Sequence, residues 1–538
     1  MLVPSAALAS VGDQSGLAAY VRARAAGSAG ALDSAAEGYA AAMAMAPGNE
    51  ILAARALGQA LAAGNQPLAM RAAHSLAHAA KPPVEARLLL LGEALRKSDW
   101  KGADQQVDAI QKDDVFAFMA PVLRAWILSG SRRSDPLGPL RTIVNNPLAA
   151  SYADEPKALI LLASGHGKEG LEALAPILDE GGPRADRLRI AAAALLVRKG
   201  EKSQALSLIE GESEPLLVAR TRLKAGRPLE GEVSTPEAGI AELLIRIAVD
   251  LNAQQVPDVA LRFARIATFF TPSNSEAWLV TADLLSTGGQ SQAALAALEH
   301  VRADDPFADR AAQRRLAVLV DAGRQDEALA RARAAVDKEP SVETWVRYAD
   351  LLSQTDRYEA AAEAYGKAVA LFKEGDGPVP LWSLQLLRGN VLTQAGKWSE
   401  AKAALEQAYA LAPRQPVVLN FLGYSQLERR ENLAEAEKLI QEASRLQPDD
   451  AAITDSLGWV NYIRGNLPRA IELLERAAQG QPADAAINEH LGDAYYSAGR
   501  RYEARYAWRA ALVYAQGDAA KRLQGKIESG LRPELTAP

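Results

Sequence analysis

The 538-residue chain contains no cysteine, which excludes disulfide bonds, thiolate zinc sites and cysteine nucleophiles. Aromatic residues make up only 6% of it, and no apolar run approaches the roughly 20 residues that span a bilayer. Basic residues are not in excess. The net charge of −6 argues against nucleic acid as a partner, because phosphate binding needs a concentrated basic face. Strand patterns joined by Asn-Gly or Asp-Gly are missing, so we expect an all-α protein.

Three patterns could indicate chemistry, and each has a structural explanation that we favour. Residues 165–170 (Gly-His-Gly-Lys-Glu-Gly) fit a dinucleotide-binding pattern, but no alternating strands and helices surround them. His74 and His78 share a helix face without a third metal ligand nearby. The pairs Asp304-Asp305 and Asp449-Asp450 stand where they can cap helices. We therefore expect no catalytic site, no cofactor and no metal.

Proline recurs at a fixed spacing through the C-terminal half. The prolines are Pro272, Pro306, Pro340, Pro413, Pro448 and Pro482, with gaps of 34, 34, 73, 35 and 34 residues. The longest gap is two periods plus an insertion at residues 375–380. Small residues such as Gly458 and Ala470 recur where helices would cross, and large ones such as Leu474 recur beside them. A 34-residue helix–turn–helix period of this kind is typical of the tetratricopeptide repeat, which stacks into a solenoid.

The regularity of the repeat divides the chain. Residues 1–15 are predicted to be either a signal-sequence remnant or a first helical turn, since residues 1–9 are apolar and end in Ala-Leu-Ala. Residues 16–237 read as a degenerate helical array, which ends at a joint rich in Gly and Pro. Residues 238–516 are predicted to form a regular array of eight repeats. Residues 517–538 are predicted to be a capping helix and tail.

A protein-binding groove is predicted on the first helices of three consecutive repeats. In each repeat, two equivalent positions beside the Leu-Gly pair carry aromatic or hydrogen-bonding side chains. Two further tyrosines lie on the same helices. This composition is typical of binding hot spots. The alternative is that the aromatic rings pack between repeats. The candidate residues are Asn420, Tyr424, Asp455, Trp459, Tyr462, Glu489, Asp493 and Tyr496.

The runs 420–424, 455–462, 489–496 and 502–509 closely resemble a family of bacterial tetratricopeptide proteins that are often exported or lipid-anchored. The resemblance implies a right-handed superhelix whose first helices line the inner groove. Some members are adaptors that hold a periplasmic carboxyl-terminal processing protease and present cell-wall hydrolases to it. The chain departs from such members in having no lipid-accepting cysteine. Membrane association is therefore expected only through a lost N-terminal anchor or through partners.

We predict a non-catalytic protein–protein interaction scaffold or adaptor that presents client proteins to a partner enzyme in the bacterial envelope. The resemblance favours the periplasm or the outer-membrane periphery, with the cytoplasm as the other location. The alternative function is an assembly or export scaffold for envelope polysaccharide, which would co-purify with outer-membrane barrel proteins and not with a protease. Binding of an acidic chaperone tail is not expected. A carboxylate-binding subgroup uses Lys and Asn at inner positions that here hold Asn420, Asp455 and Glu489, without the basic residues.

Overall fold

The computed structural model describes residues 16–113, 115–132, 135–373 and 379–537. Within these ranges the chain forms α-helices, two short 3-10 helices (Ala117–Met119 and Pro533–Leu535) and connecting turns, with no β-strand. The predicted all-α class is therefore confirmed. None of the described helices is both long enough and apolar enough to cross a bilayer. The predicted signal remnant or first helical turn, residues 1–15, lies outside the described residues.

The chain divides by its internal contacts into two compact units, Met1–Ala328 and Leu329–Pro538. Helix α20, Gln325–Lys338, contains the division. The helices of the first unit that precede it are α1 Gly16–Ser28, α2 Leu32–Met45, α3 Glu50–Ala63, α4 Gln66–Leu76, α5 Val84–Arg96, α6 Trp100–Gln111, α7 Ala120–Ser131, α8 Gly138–Arg141, α9 Pro147–Ser151, α10 Asp154–Ala163, α11 Gly167–Asp179, α12 Gly182–Arg198, α13 Lys202–Leu208, α14 Glu214–Lys224, α15 Pro236–Ala253, α16 Pro257–Phe270, α17 Ser275–Thr287, α18 Ser291–Glu299 and α19 Ala308–Asp321.

In the first unit, α15 and α16 pack back against the early helices α3, α5 and α7. Two glycines allow their helices to come close to large side chains of other helices. A Cβ at Gly239 would lie 1.9 Å from Trp126 Cε2, and a Cβ at Gly92 would lie 2.5 Å from Phe270 Cε1. The predicted change in repeat regularity near residue 237 falls at the start of α15, inside this unit. These contacts hold α15 to the helices before it, and the two compact units divide only later, at residue 328. The division of the sequence into degenerate and regular repeats stays a prediction.

The second unit consists of helix pairs followed by one last helix. Its helices after α20 are α21 Val342–Gln354, α22 Tyr358–Leu371, α23 Leu381–Gln394, α24 Trp398–Leu411, α25 Pro416–Glu428, α26 Leu433–Leu446, α27 Ala451–Ile463, α28 Leu467–Gly480, α29 Ala485–Ser497, α30 Arg501–Tyr514 and α31 Gly517–Ser529. From α21 to α30 each odd-numbered helix packs against the helix that follows it. Each pair is thus a helix–turn–helix unit stacked on its neighbour.

The repeat positions have the physical roles that the sequence predicts. A Cβ at Gly458 would lie 2.8 Å from Leu474 Cγ, so glycine allows α27 and α28 to approach closely. The turn between these helices passes through Gly465, whose φ of 77° is in the left-handed region. Asp450 caps α27 by accepting a 2.9 Å hydrogen bond from the backbone N–H of Ile453. The capping prediction for this aspartate is therefore confirmed.

The remaining patterns are also explained by helical packing. Residues 165–170 join α10 to α11, so the strand that a dinucleotide site needs is replaced by a helix. His74 lies in α4 and its Nε2 is 2.8 Å from Glu93 Oε2, whereas His78 lies beyond the end of that helix. No group of three or more His, Cys, Asp or Glu that could hold a metal occurs in the part of the chain that the structure describes.

Candidate functional site

The eight predicted groove residues lie on α25, α27 and α29, the first helices of three consecutive repeats. The structure brings several of them together around His490, whose ring stacks on Trp459 with centroids 4.1 Å apart. Its Nε2 is 3.4 Å from the Tyr424 hydroxyl, and its Nδ1 is 2.9 Å from Asp455 Oδ2. The three helices thus share one polar and aromatic cluster.

His490 is a member of this cluster that sequence reasoning missed. It is buried, and it stands directly before the Leu-Gly pair of its repeat. Burial lowers the pKa of His490, but the charge and hydrogen bond of Asp455 and the charges of Asp493 and Glu489 together outweigh burial and raise this pKa above its ordinary value. Histidine and aspartate therefore form a buried charge-assisted pair that ties α29 to α27. The position before Leu-Gly carries Phe421 and Ser456 in the two preceding repeats. The only sequence signal that could have identified His490 is therefore the change of residue type at this position.

Trp459 lies at the centre of an aromatic stack rather than on the surface. Tyr462 stacks on its ring at 4.5 Å between centroids, and His490 is the other stacked partner. The side chain is 2% exposed. Tyr462 is half-buried, and its hydroxyl lies 3.1 Å from Ser497 Oγ on the next first helix. Trp459 therefore acts mainly as packing in this structure, while Tyr462 remains reachable from solvent.

The acidic residues of the predicted groove are occupied by the chain's own C-terminal helix. Lys526 of α31 is fully buried, with its Nζ 2.6 Å from Glu489 Oε1 and 2.7 Å from Asp493 Oδ1. Arg522, one turn earlier, donates to both oxygens of Glu489 at 2.7 and 2.8 Å. Burial raises the pKa of Glu489, but the two cations outweigh it and hold this pKa below its ordinary value. The predicted capping helix thus also neutralises the buried carboxylates of α29.

After α31 the chain turns back across the same helices. Gly530, with a φ of 81°, lies beside the Tyr496 hydroxyl, where a Cβ would be only 2.3 Å from that oxygen. Residues 530–537, here called the tail, end with Ala537 packed in a cluster that includes Leu427 and Trp459. The backbone N–H of Ala537 donates to Asp493 Oδ2 at 2.9 Å. The tail therefore covers part of the predicted groove.

An open pocket of about 1100 Å³ lies between the tail and the repeats. We call it the groove pocket. It is lined on one side by Tyr462, Tyr496 and the edge of Trp459, and on the other by Leu531 and Pro533 of the tail. Its mixed lining of aromatic, aliphatic and backbone groups can accept an extended or helical stretch of polypeptide.

The predicted residues differ in how accessible they are. Tyr462 and Tyr496 line the groove pocket and are half-buried. Asp455, Trp459, Glu489 and Asp493 are buried. Tyr424 is half-buried against His490, and burial raises the pKa of its hydroxyl well above the ordinary value. Asn420 is half-buried, and its Oδ1 is buried without a hydrogen-bond partner. That these residues bind a partner stays a prediction.

Comparison with known proteins identifies the type of repeat. Residues 341–414 and 392–458 match two family models, each described as tetratricopeptide repeat. These matches, with the stacked helix pairs, show that the second unit carries tetratricopeptide repeats, which generally serve as protein-binding scaffolds. TPR repeat-containing protein PA4667 of Pseudomonas aeruginosa is 34% identical over 150 residues, which are 28% of this chain and 24% of that protein. The chain thus matches about a quarter of the length of that bacterial relative.

Solved structures of repeat proteins show a broader likeness. Yeast Tom70 is 11% identical, with a TM-score of 0.37, over 96% of this chain and 95% of its own. YrrB, a TPR protein described as having an unusual peptide-binding site, is 19% identical with a TM-score of 0.26, over 36% of this chain and 97% of its own. No statement about the function of this chain follows from these likenesses.

Proposed function

We propose that the second unit binds a polypeptide segment of a partner protein in the groove pocket. The observation that carries this proposal is that the groove already holds a polypeptide segment, the chain's own tail. That segment is held by apolar contacts of Leu531 and Ala537 and by one backbone hydrogen bond to Asp493. A partner segment with an exposed backbone N–H and small or aliphatic side chains can make the same contacts.

The tail is weakly held compared with α31, because its only hydrogen bond to the repeats in the described residues is that of the Ala537 N–H. In contrast, α31 is fixed by the buried Lys526 and by Leu523, which packs on Trp508. The partner segment therefore replaces the tail and leaves α31 in place. Displacement of the tail costs little, because a segment held by a single hydrogen bond opens readily.

The chain as a whole is proposed to be a non-catalytic adaptor that presents client proteins to a partner enzyme in the bacterial envelope. This part rests on the resemblance of residues 420–512 to exported adaptor proteins, and on the 34% identity to a bacterial TPR protein over 150 residues. The proposed partners are a carboxyl-terminal processing protease and cell-wall hydrolases. A stack of repeats suits this role, because it offers separate surfaces to enzyme and client at once.

Site-specific photo-crosslinking in the native cell envelope tests this proposal. A photoreactive amino acid would replace Tyr462 or Tyr496, which line the groove pocket, or Gln479, an exposed residue of α28, as the matched control. We expect partner adducts at positions 462 and 496 but not at 479, and more adduct when the chain ends after Leu531. Adducts to a protease and cell-wall hydrolases would support the adaptor role.

Equal adducts at all three positions, or fewer after removal of residues 532–538, would contradict binding in the groove pocket. Adducts to outer-membrane barrel proteins or a polysaccharide synthase would instead favour the export scaffold. Adducts only to cytoplasmic proteins would contradict the envelope location.

A further inference from the structure

The outward face of α30 differs from the rest of the described surface. Among the described residues, the aromatic side chains that are mostly exposed are Tyr502, Tyr506 and Tyr514, and all three lie on this one helix. Tyr502 is 80% exposed and Tyr506 is 69% exposed, and Val513 extends the apolar row at 74%. The opposite side of α30 is buried, so these residues point away from the repeat core.

A row of arginines runs beside the tyrosines. Arg501, Arg505 and Arg509 follow each other at every fourth position, about 6 Å apart along the axis by helix geometry. All three are exposed, and none has a carboxylate partner among the described residues. The guanidinium of Arg501 lies over the Tyr496 ring at 5.7 Å. The only acidic residue of α30, Glu503, is already paired with Arg500.

The equivalent helices of the two preceding repeats provide an internal comparison. Glu472 stands 34 positions before Tyr506, and Lys438 stands 34 positions before Glu472. Both are paired within their own helices: Glu472 with Arg469 at 2.5 Å, and Lys438 with Glu435 at 3.5 Å. Such mixed, self-paired charges are typical of a solvated helix face. The exposed aromatic residue at this position is therefore specific to the last of the three repeats.

From this arrangement we infer that the outward face of α30 is a docking surface for an acidic, amphipathic helix of a partner protein. Two parallel rows, one basic and one aromatic, match a helix that carries carboxylates along one row and apolar side chains along the next. Tyrosine and arginine are both enriched among the residues that dominate binding energy at protein interfaces. None of the residues that line the groove pocket lies on α30, so the inference does not depend on the proposed function.

A membrane surface fits the same residues less well. A helix that lies on anionic lipid has basic residues on both sides of a broad apolar face. Here the arginines stand on one side of the tyrosine row, and Glu503 and Ala510 stand on the other. The asymmetry favours a partner helix whose charges also lie on one side.

The test uses the full chain and a synthetic peptide of about 20 residues, long enough to populate a helix. The peptide carries Glu at every fourth position and Leu in the neighbouring row, and its isomer carries Lys in place of Glu. Binding is measured by fluorescence anisotropy at low and high salt. We expect the acidic peptide alone to bind, with an affinity that falls as salt rises.

The double variant Arg505→Gln/Arg509→Gln is expected to weaken binding about tenfold, since two exposed charge pairs are lost. Tyr502→Ser/Tyr506→Ser is expected to weaken it by at least as much. Arg469→Gln on α28, an exposed arginine that is already paired, is the control and should change affinity less than about twofold. Circular dichroism checks that each variant is folded.

Three results would overturn the inference. The first is absence of binding, or equal binding of the Lys isomer. The second is an equal loss with Arg469→Gln. The third is that the Arg505→Gln/Arg509→Gln variant keeps its affinity for the acidic peptide but loses another interaction. That interaction would be self-association, measured by sedimentation velocity, or attachment to anionic vesicles.

Discussion

Lys526 provides the most informative single perturbation of the second unit. Its Nζ is fully buried between Glu489 and Asp493. Lys526→Met keeps most of the side-chain volume but removes the charge. Asp493 then retains only neutral donors, Trp508 Nε1 and the backbone N–H of Ala537. Removing one partner of a buried ion pair costs about 3–5 kcal/mol, and we take about 3 because Arg522 still neutralises Glu489.

Hydrogen exchange measures this cost locally, which matters because repeat arrays do not unfold as one cooperative unit. Since about 1.4 kcal/mol is a factor of ten, protection of the α29 and α31 amides should fall about a hundredfold in Lys526→Met. Lys521→Met is the control on the same helix. Its side chain is 80% exposed and pairs only with Asp518, so protection should change less than about twofold.

The effect of Lys526→Met should also depend on pH. Burial already raises the pKa of Asp493 against the lowering effect of Lys526, and removal of the lysine raises that pKa further. A carboxyl whose folded pKa exceeds its unfolded value is destabilising at neutral pH, and this penalty fades as it takes up a proton. The loss of protection should therefore shrink on acidification towards about pH 4. Equal protection in both variants, or a loss independent of pH, would refute the assignment of a buried charge pair.

Further predictions concern packing and titration in the same region. Trp459→Ala should lower the local stability of α27 and its neighbours by about 3–5 kcal/mol, since a buried ring is removed; hydrogen exchange of the α27 and α29 amides measures this. Gly492→Ala should lower the local stability of α29 and α30 by about 1–3 kcal/mol, measured by hydrogen exchange, because a Cβ would lie 2.3 Å from Trp508 Cδ1. The pair of His490 with Asp455 should stabilise α29 fully below about pH 6.5, the ordinary histidine pKa. Because the folded pKa is raised, this contribution is lost as pH rises through it, and exchange protection at α29 should fall there.

Matched variants separate these predictions from nonspecific effects. Gly366→Ala in α22 has no neighbour nearer than 3.7 Å to the new Cβ, so it should be neutral or stabilise by up to about 1 kcal/mol. A cost as large as that of Gly492→Ala would show that the close approach to Trp508 is not the reason. Asp455→Asn should strongly reduce the loss of α29 protection as pH rises above about 6.5, because Asp455 contributes most to raising the pKa of His490. Persistence of that dependence would contradict the pairing with His490.

The fold of the repeats could be predicted because its signals are local. A fixed period, turn glycines and small–large pairs such as Gly458 with Leu474 determine each helix pair and its neighbour. The packing of α15 and α16 on α3, α5 and α7 could not be predicted in this way. It joins residues far apart in sequence, such as Gly239 and Trp126, for which a repeat period carries no information.

The candidate site could be predicted only in part. Counting from the Leu-Gly pairs placed Asp455, Glu489 and their neighbours on adjacent helices. It did not show which of these side chains are buried. The pairing with α31 depends on how that helix is rotated against α29, which no repeat pattern specifies. One signal was available: Glu489 and Asp493 are four residues apart, as are Arg522 and Lys526, so two helix faces carry matching opposite charges.

The central claim is that a partner segment occupies the groove pocket in place of the tail. Hydrogen exchange of the full chain, with and without the partner identified by crosslinking, tests it most directly. The account predicts new protection around Tyr462 and Tyr496 together with loss of protection at Ala537, whose N–H leaves Asp493. Unchanged exchange at these three residues, with protection appearing elsewhere on the chain, would contradict it.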